Sequence, residues 1–178
     1  MRLDDEDVQQ MVVWRAAPHV HQWWDPDLPD PDSAAIIKEY EADTLPGSIS
    51  TACFIELRGQ PIGFIQFYRW SDYAEEATEA GMPVDEDSWG IDVFIGNPDL
   101  VGRGYGTTAV DLMCEHLFAE KGAASVALTT ELDNDVAIRA YEKAGFTKRG
   151  RVLDTDTRGG ERVWCWLMIR DRESKAVG

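Results

Sequence analysis

Residues Val101 to Val110 read VGRGYGTTAV, and the rest of the chain is best understood outward from this stretch. Gly102, Gly104 and Gly106 alternate, and Val110, Met113, Cys114, Leu117 and Phe118 then recur at helical spacing. The pattern predicts a glycine loop opening an amphipathic helix. The first amides of a helix have no internal partner and carry the positive end of its dipole, so an anion, above all a phosphate, is stabilised there. Glycines let the main chain approach that anion and take positive φ without steric cost, and Arg103 adds a charged donor. A tight turn at a helix start has the same pattern, so the loop alone leaves both readings open. A nucleoside-triphosphate loop needs Gly-Lys followed by Ser or Thr, and a dinucleotide fingerprint needs its third glycine three places further on; the sequence has neither.

Ahead of the loop, Ser88 to Ile95 predicts a strand that runs through Asn97 and Pro98 into the glycines. Behind the helix, Ser125 to Thr129 predicts a short strand, and Asp133 or Asn134 caps a further helix that stops at Gly145, with Phe146 packing back on it. Gly150 to Asp154 and Arg162 to Ile169 predict two last strands around a turn containing Gly159 and Gly160. Toward the N-terminus, Ile49 to Leu57 and Pro61 to Trp70 form a hairpin pattern around Arg58, Gly59 and Gln60. Asp4 to Ala16 reads as a helix with Val8, Met11 and Val12 inward, and Pro18 ends it. A short helical piece follows in PHVHQWW, and Ser33 caps a helix running toward Leu45 that Pro46 and Gly47 stop. Arg2 and Leu3 alone could supply a strand before the first helix. Ser71 to Asp87 is acidic and poorly periodic and reads as a long loop with room for a helical turn, a feature often functional in compact domains. The order of elements predicts an α+β fold, a mixed sheet with helices on both faces, in a single domain spanning 1–178.

The formal net charge of −16 counts against nucleic acid, whose backbone would be repelled, and suits a cationic substrate. Solubility or a salty cytoplasm would account for the same acidity. No apolar stretch approaches membrane-spanning length and MRLDDEDVQQ lacks the basic and apolar parts of a signal peptide, which points to the cytoplasm and away from the membrane. Cys53, Cys114 and Cys165 sit in apolar patterns as buried thiols, and His19, His21 and His116 form no ligand cluster, so no metal is expected.

The succession of strand, glycine loop, helix and strand, followed by NDVAIRAYEKAGF (Asn134 to Phe146), resembles the GNAT superfamily of N-acetyltransferases. HVHQWW (His19 to Trp24), QPIGFIQFY (Gln60 to Tyr68), WGID (Trp89 to Asp92) and YEKAGF (Tyr141 to Phe146) are more narrowly similar to aminoglycoside 6′-N-acetyltransferases, and siderophore-type N-acyltransferases share part of the pattern. The resemblance implies a mostly antiparallel central sheet and acetyl-CoA as cofactor. Its pyrophosphate would lie on the loop, with Val101, Gly102, Arg103, Gly104, Tyr105, Gly106 and Thr107 around it, and its pantetheine along Val93, Phe94 and Ile95, whose amides would form an oxyanion hole. Asn134 and Ala137 would adjoin the cofactor. Asp92 would be the base that takes the amine proton and Tyr141 the acid beside the cofactor, although Asp92 also suits a strand-end turn contact and Tyr141 a core aromatic.

For the acceptor, the resemblance points to a cationic small-molecule amine, the 6′-amine of an aminoglycoside. Trp24 and Tyr68 would wall the pocket, with Gln66 and the carboxylates of Asp72, Asp92, Glu131, Asp154 and Asp156 around it; Glu75, Glu76 and Glu79 add to the acidic stretch. Three positions depart from the family pattern: Val101 replaces a Gln or Arg of the loop, and Thr129 and Thr130 replace an Asp-Pro after the short strand. A polyamine, a siderophore hydroxylamine or a protein N-terminus is the alternative acceptor, and a non-catalytic domain binding acyl-CoA or aminoglycoside is the non-enzymatic one. Either a monomer or a homodimer is compatible with the sequence.

Overall fold

Arg58 and Gly59 both take positive φ, 53° and 76°, the mirror-image two-residue turn whose twist matches that of the strands it joins. It sets β1 (Ser50–Leu57) antiparallel to β2 (Gln60–Arg69), with Leu57 opposite Gln60. The computed structural model describes residues 4–24, 29–45, 47–79, 81–82, 86–158 and 161–173, without the side chains of 44 and 155–161. Arg2 and Leu3, Pro46, and the turn at Gly159 and Gly160 lie outside the described residues.

Four more strands complete the sheet: β3 (Ser88–Ile95), β4 (Ser125–Glu131), β5 (Thr147–Arg158) and β6 (Glu161–Asp171). Their order is β1-β2-β3-β4-β6-β5, and β3 with β4 is the parallel pair among antiparallel ones. That pair needs a crossover, and α5 (Tyr105–Glu120) supplies it. α5 and α6 (Asp135–Lys143) cover one face, where Val110, Cys114, Leu117 and Tyr141 pack on Phe67, Ile91, Val126 and Met168. The opposite face carries α1 (Asp5–Arg15), α2 (Pro18–Trp24) and α3 (Ser33–Tyr40). There Val8, Met11, Trp14, Ile36 and Tyr40 bury Ala52 and Phe64. Farther along the same face Trp70, Ala77 and Met82 pack on Ala127 and Leu167.

Within the stretch expected to be a long loop with a helical turn, a 3-10 turn covers Trp70–Tyr73 and α4 covers Ala74–Glu79, and residues 80 and 83–85 lie outside the described residues. Six residues are too few to show a helical period, and Ala77 is the residue that this short helix buries. Ser33 is the first residue of α3; the capping oxygen belongs to Asp32, which accepts from the Ala35 amide at 2.8 Å. α3 stops at Tyr40, and a separate 3-10 turn covers Ala42–Thr44. Cys114 and Cys165 are buried and Cys53 half-buried, all as free thiols. Among the described residues no helix is long and apolar enough to cross a membrane.

Candidate active site

The parallel ladder between β3 and β4 runs from Ser88–Ser125 only to Gly90–Ala127, whereas β2 stays paired with β3 up to Gly63–Ile95. β3 therefore leaves β4 halfway along. At the fork the Trp70 indole N–H donates to the Ala127 carbonyl at 3.1 Å, a buried bond. Gly96 N–H donates to Ile62 O at 2.9 Å, in the register that pairs Gly63 with Ile95. Because main-chain groups of an antiparallel strand alternate sides, Phe94, Asp92 and Gly90 point theirs at β2, and Ile91, Val93 and Ile95 point theirs into the opening. Within the expected donor stretch, then, Val93 and Ile95 offer main-chain groups to the opening, and Phe94 offers its ring to the other side.

The glycine loop lies where β3 ends. Gly102 and Gly104 take φ of +75° and +88°, and among the described residues, chain neighbours aside, no heavy atom lies within 4 Å of where a Cβ would stand on either. The Cβ position of Gly106 meets Ile95 Cγ1 at 3.6 Å, so loop and strand touch. α1, α3 and α6 are capped by the side chains of Asp4, Asp32 and Asn134. α5 starts instead on Gly104, with no side-chain cap and no acid in its first turn. Open space, left-handed glycines and an uncapped start of a 16-residue helix fit a bound diphosphate. Val101 and Arg103 are exposed at this loop, and Tyr105 and Thr107 are half-buried in the first turn.

On the face shared with α1 to α4, Gln66 stands opposite Asp92 and its Nε2 donates to Asp92 Oδ2 at 2.7 Å. Tyr68 stands opposite Gly90. A Cβ on Gly90 would come within 2.4 Å of Tyr68 Cε2, so glycine at 90 lets the ring lie across β3. That ring meets Trp70 and Tyr73 edge-on, with centroids 5.2 and 5.0 Å apart. Trp24 meets Phe94 and Phe64 in the same manner at 4.9 and 5.9 Å. Thr129 Oγ1 donates to Asp154 Oδ2 at 2.6 Å, and Glu131, two residues along on the same side of β4, is buried. The structure thus gathers Trp24, Gln66, Tyr68, Asp92, Glu131 and Asp154 on one face. Asp72 is exposed on the turn after β2, and the side chain of Asp156 lies outside the described residues. Glu75, Glu76 and Glu79 are exposed on α4, and Glu79 lies 3.9 Å from Arg162.

Tyr141 packs from α6 into the core beside Phe146, ring centroids 5.8 Å apart. Its phenol is held well above the ordinary tyrosine pKa, first by burial and then by the negative charge of Asp92. Tyr73 is raised by burial, then by Asp43 and Asp92. Tyr40 is raised by burial and Glu39, against the lowering pull of Arg15. Asn134 caps α6 by accepting from the Ala137 amide at 3.1 Å. Ala137 packs against the core below.

Several residues of this region carry no signal in the sequence pattern. Buried Arg15 donates to Glu39 Oε1 and to the Tyr40 hydroxyl, both at 3.0 Å, and its guanidinium stands 5.7 Å from the Trp24 ring centre. His19 Nε2 lies 2.9 Å from the Ile95 carbonyl oxygen. The tandem HVHQWW draws attention to α2 as a whole, but nothing local to it names a partner 76 residues away. Among the described residues no group of His, Cys, Asp and Glu could hold a metal ion.

Residues 4–153 match the acetyltransferase (GNAT) domain family. An aminoglycoside N(6′)-acetyltransferase type 1 of Klebsiella pneumoniae is 29% identical over 158 residues, 86% of this chain and 76% of that protein. The crystal structure of aminoglycoside acetyltransferase AAC(6′)-Ib with coenzyme A and kanamycin superposes with a TM-score of 0.76 at 26% identity, covering 97% of this chain and 92% of that one. Spermidine N-acetyltransferase from Vibrio cholerae, with CoA and spermine, shares the fold at a TM-score of 0.70 and 15% identity, covering 95% and 92%. With the forked sheet, the open glycine loop and a family match over nearly the whole length in agreement, the chain belongs to the GNAT acetyltransferases.

Proposed function

We propose that this acetyltransferase modifies a primary amine of an aminoglycoside, the 6′-amine, using acetyl-CoA. One observation carries the reading: the two sides of β3 have different chemistry. One edge, Val93 and Ile95, faces an opening that leads to the uncapped loop, and one face presents Asp92 among aromatic rings and carboxylates. The 6′ position and the antibiotic acceptor are supported by the relatives named above.

When bound, acetyl-CoA supplies an acetyl group activated as a thioester. Gly102 to Thr107 would hold its diphosphate, and the Val93 and Ile95 amides would steady developing oxyanion charge. Asp92 accepts the proton of the substrate ammonium, since an amine attacks only when neutral. Gln66 holds that carboxylate in place through Oδ2. Tyr141 keeps its proton at neutral pH as any phenol does, with a wider margin because its pKa is raised, so it can donate a hydrogen bond to negative charge in the cleft. The same shift makes complete proton transfer from the phenol uphill. Trp24 and Tyr68 supply the flat walls against which a sugar ring packs, and Asp154, held by Thr129, is placed to meet a second ammonium.

The test is release of coenzyme A thiol with a panel of kanamycin, ribostamycin and spermidine, with mass spectrometry locating the acetyl group. Turnover of the aminoglycosides with the 6′-amine modified supports the proposal. Turnover confined to spermidine or other amines would replace the acceptor, and saturable coenzyme A binding without turnover on any amine would replace catalysis with binding.

A further inference from the structure

The main-chain groups of β3 can be accounted for one by one. Gly96 N–H is taken by Ile62 O at 2.9 Å, and alternation turns the Ile95 carbonyl to the other side, past the point where β4 has left the ladder at Ala127. Among the described residues no strand pairs with β3 on that side at Ile95. The group that meets it is the His19 imidazole, Nε2 to O at 2.9 Å. A carbonyl only accepts, so Nε2 is the donor, in the Nε2–H tautomer or the imidazolium. The same peptide is gripped from a further direction: the Trp14 ring lies where a Gly96 side chain would stand, 2.2 Å from an added Cβ. Meanwhile the Ile95 side chain rests under Gly106 of the glycine loop.

α2 thus holds β3 at two successive residues, through the Trp24 ring on Phe94 and through His19 on the Ile95 carbonyl. One contact belongs to the acceptor face and the other to the donor edge. We propose that His19 is a positioning residue of the acyl-donor groove: by holding the Ile95 carbonyl it keeps the Ile95 and Val93 amides aimed into the opening between β3 and β4. Without it the last residues of β3 are paired on the β2 side alone, and the Ile95 carbonyl loses the hydrogen bond that holds it on the side of the opening. The inference rests on the reading of that opening as the acetyl-CoA groove.

The experiment compares His19→Leu, which fills the space without a donor, with His19→Gln, whose amide can donate to the same carbonyl. Calorimetric titration with coenzyme A alone reads the groove without any turnover. His19→Leu should weaken coenzyme A by roughly tenfold, the effect of losing one hydrogen bond to a partly buried carbonyl, and should speed amide exchange at 95–97. His19→Gln should bind within about threefold of the parent, again on the scale of a retained hydrogen bond. A His19→Leu protein that binds coenzyme A as tightly as the parent overturns the proposal. So does a His19→Gln protein as weak as His19→Leu, since a donor would then not be what matters. Should His19→Leu fail to fold, His19→Asn, too short to reach, takes its place against His19→Gln with the same two outcomes. If the parent protein itself does not bind coenzyme A, it is the groove that has been misread, a result separable from any difference between variants.

Discussion

Asp92→Asn tests the division of labour along β3 most directly. The change is isosteric, and the Asn carbonyl can accept from Gln66 Nε2 as Asp92 Oδ2 does at 2.7 Å, so the cross-strand pair with Gln66 survives. What is lost is a proton acceptor and one negative charge. General-base assistance is worth about 10² to 10⁴ in rate, or ~3 to 5 kcal/mol of barrier. The glycine loop and the edge amides of Val93 and Ile95 belong to other atoms, so affinity for coenzyme A should stay within about twofold, well under 1.4 kcal/mol. Asp92 also raises Tyr141 and Tyr73 through its charge. In the variant both phenols should ionise at lower pH than in the parent, with burial still holding Tyr141 above an ordinary tyrosine. Thiol release at saturating kanamycin and acetyl-CoA measures the first effect, calorimetry the second, and tyrosinate absorbance in an alkaline titration the third. A kcat within about threefold of the parent, too small for lost general-base catalysis, would remove Asp92 from the base role, whatever happened to KM.

Gly104→Val should cost about 1–2 kcal/mol of stability, because a branched side chain is strained at φ +88°, and should weaken coenzyme A by more than tenfold on calorimetric titration; undiminished affinity would mean that the loop holds no diphosphate. Gly90→Ala should raise the KM for the acceptor and leave coenzyme A binding near normal, because its Cβ would meet Tyr68 at 2.4 Å, a ring that Trp70 and Tyr73 keep from turning aside. Thr129→Val removes the 2.6 Å bond to Asp154 and should raise KM more for acceptors with several amines than for a monoamine, an outcome read by steady-state kinetics across the panel. Stability should fall on the alkaline side: burial pushes the Cys114 thiol up from 9.0 to about 12, against the pull of Arg170, so from about pH 9 the unfolded chain loses a proton that the fold retains. The loss is about 1.4 kcal/mol per pH unit for this group, and urea titrations at pH 8 and 10.5 should show a slope that Cys114→Ala reduces.

The parts of this molecule legible from sequence are those whose physics is local. Alternating glycines before an amphipathic run announce a helix start without a side-chain cap, and α5 begins there on Gly104. Arg58 and Gly59 announce a hairpin, and both take the positive φ that its turn demands. Asp92 and Tyr68 could be singled out only through resemblance, because nothing in a strand's own alternation tells a functional carboxylate from a solvated one. What stayed hidden depends on register between distant segments. Thr129 meets Asp154, Trp70 meets Ala127 and Arg15 meets Tyr40 across 25, 57 and 25 residues. The fork itself is a place where pairing stops, and an interrupted ladder leaves no periodic mark on either strand.

The net charge of −16 acquires a specific meaning once the tyrosines are considered. Asp92 raises Tyr141, Asp43 and Asp92 raise Tyr73, and Glu39 raises Tyr40, each in addition to burial. The phenols of Tyr141 and Tyr73 therefore both lie in the negative field of Asp92, beyond the effect of burial. A cation entering beside Asp92 is attracted by that field and at the same time offsets it, so the phenol of Tyr141 becomes a stronger hydrogen-bond donor when substrate is bound than when the cleft is empty. In the proposed function, attraction of the substrate and readiness of the donor would thus be two effects of one charge, coupled with a fixed sign. An alkaline titration of tyrosinate absorbance with and without kanamycin reads that coupling: bound cation should lower the apparent pKa of a buried tyrosine in the parent. An unmoved pKa at saturating kanamycin would place the bound cation away from both Asp92 and Tyr141.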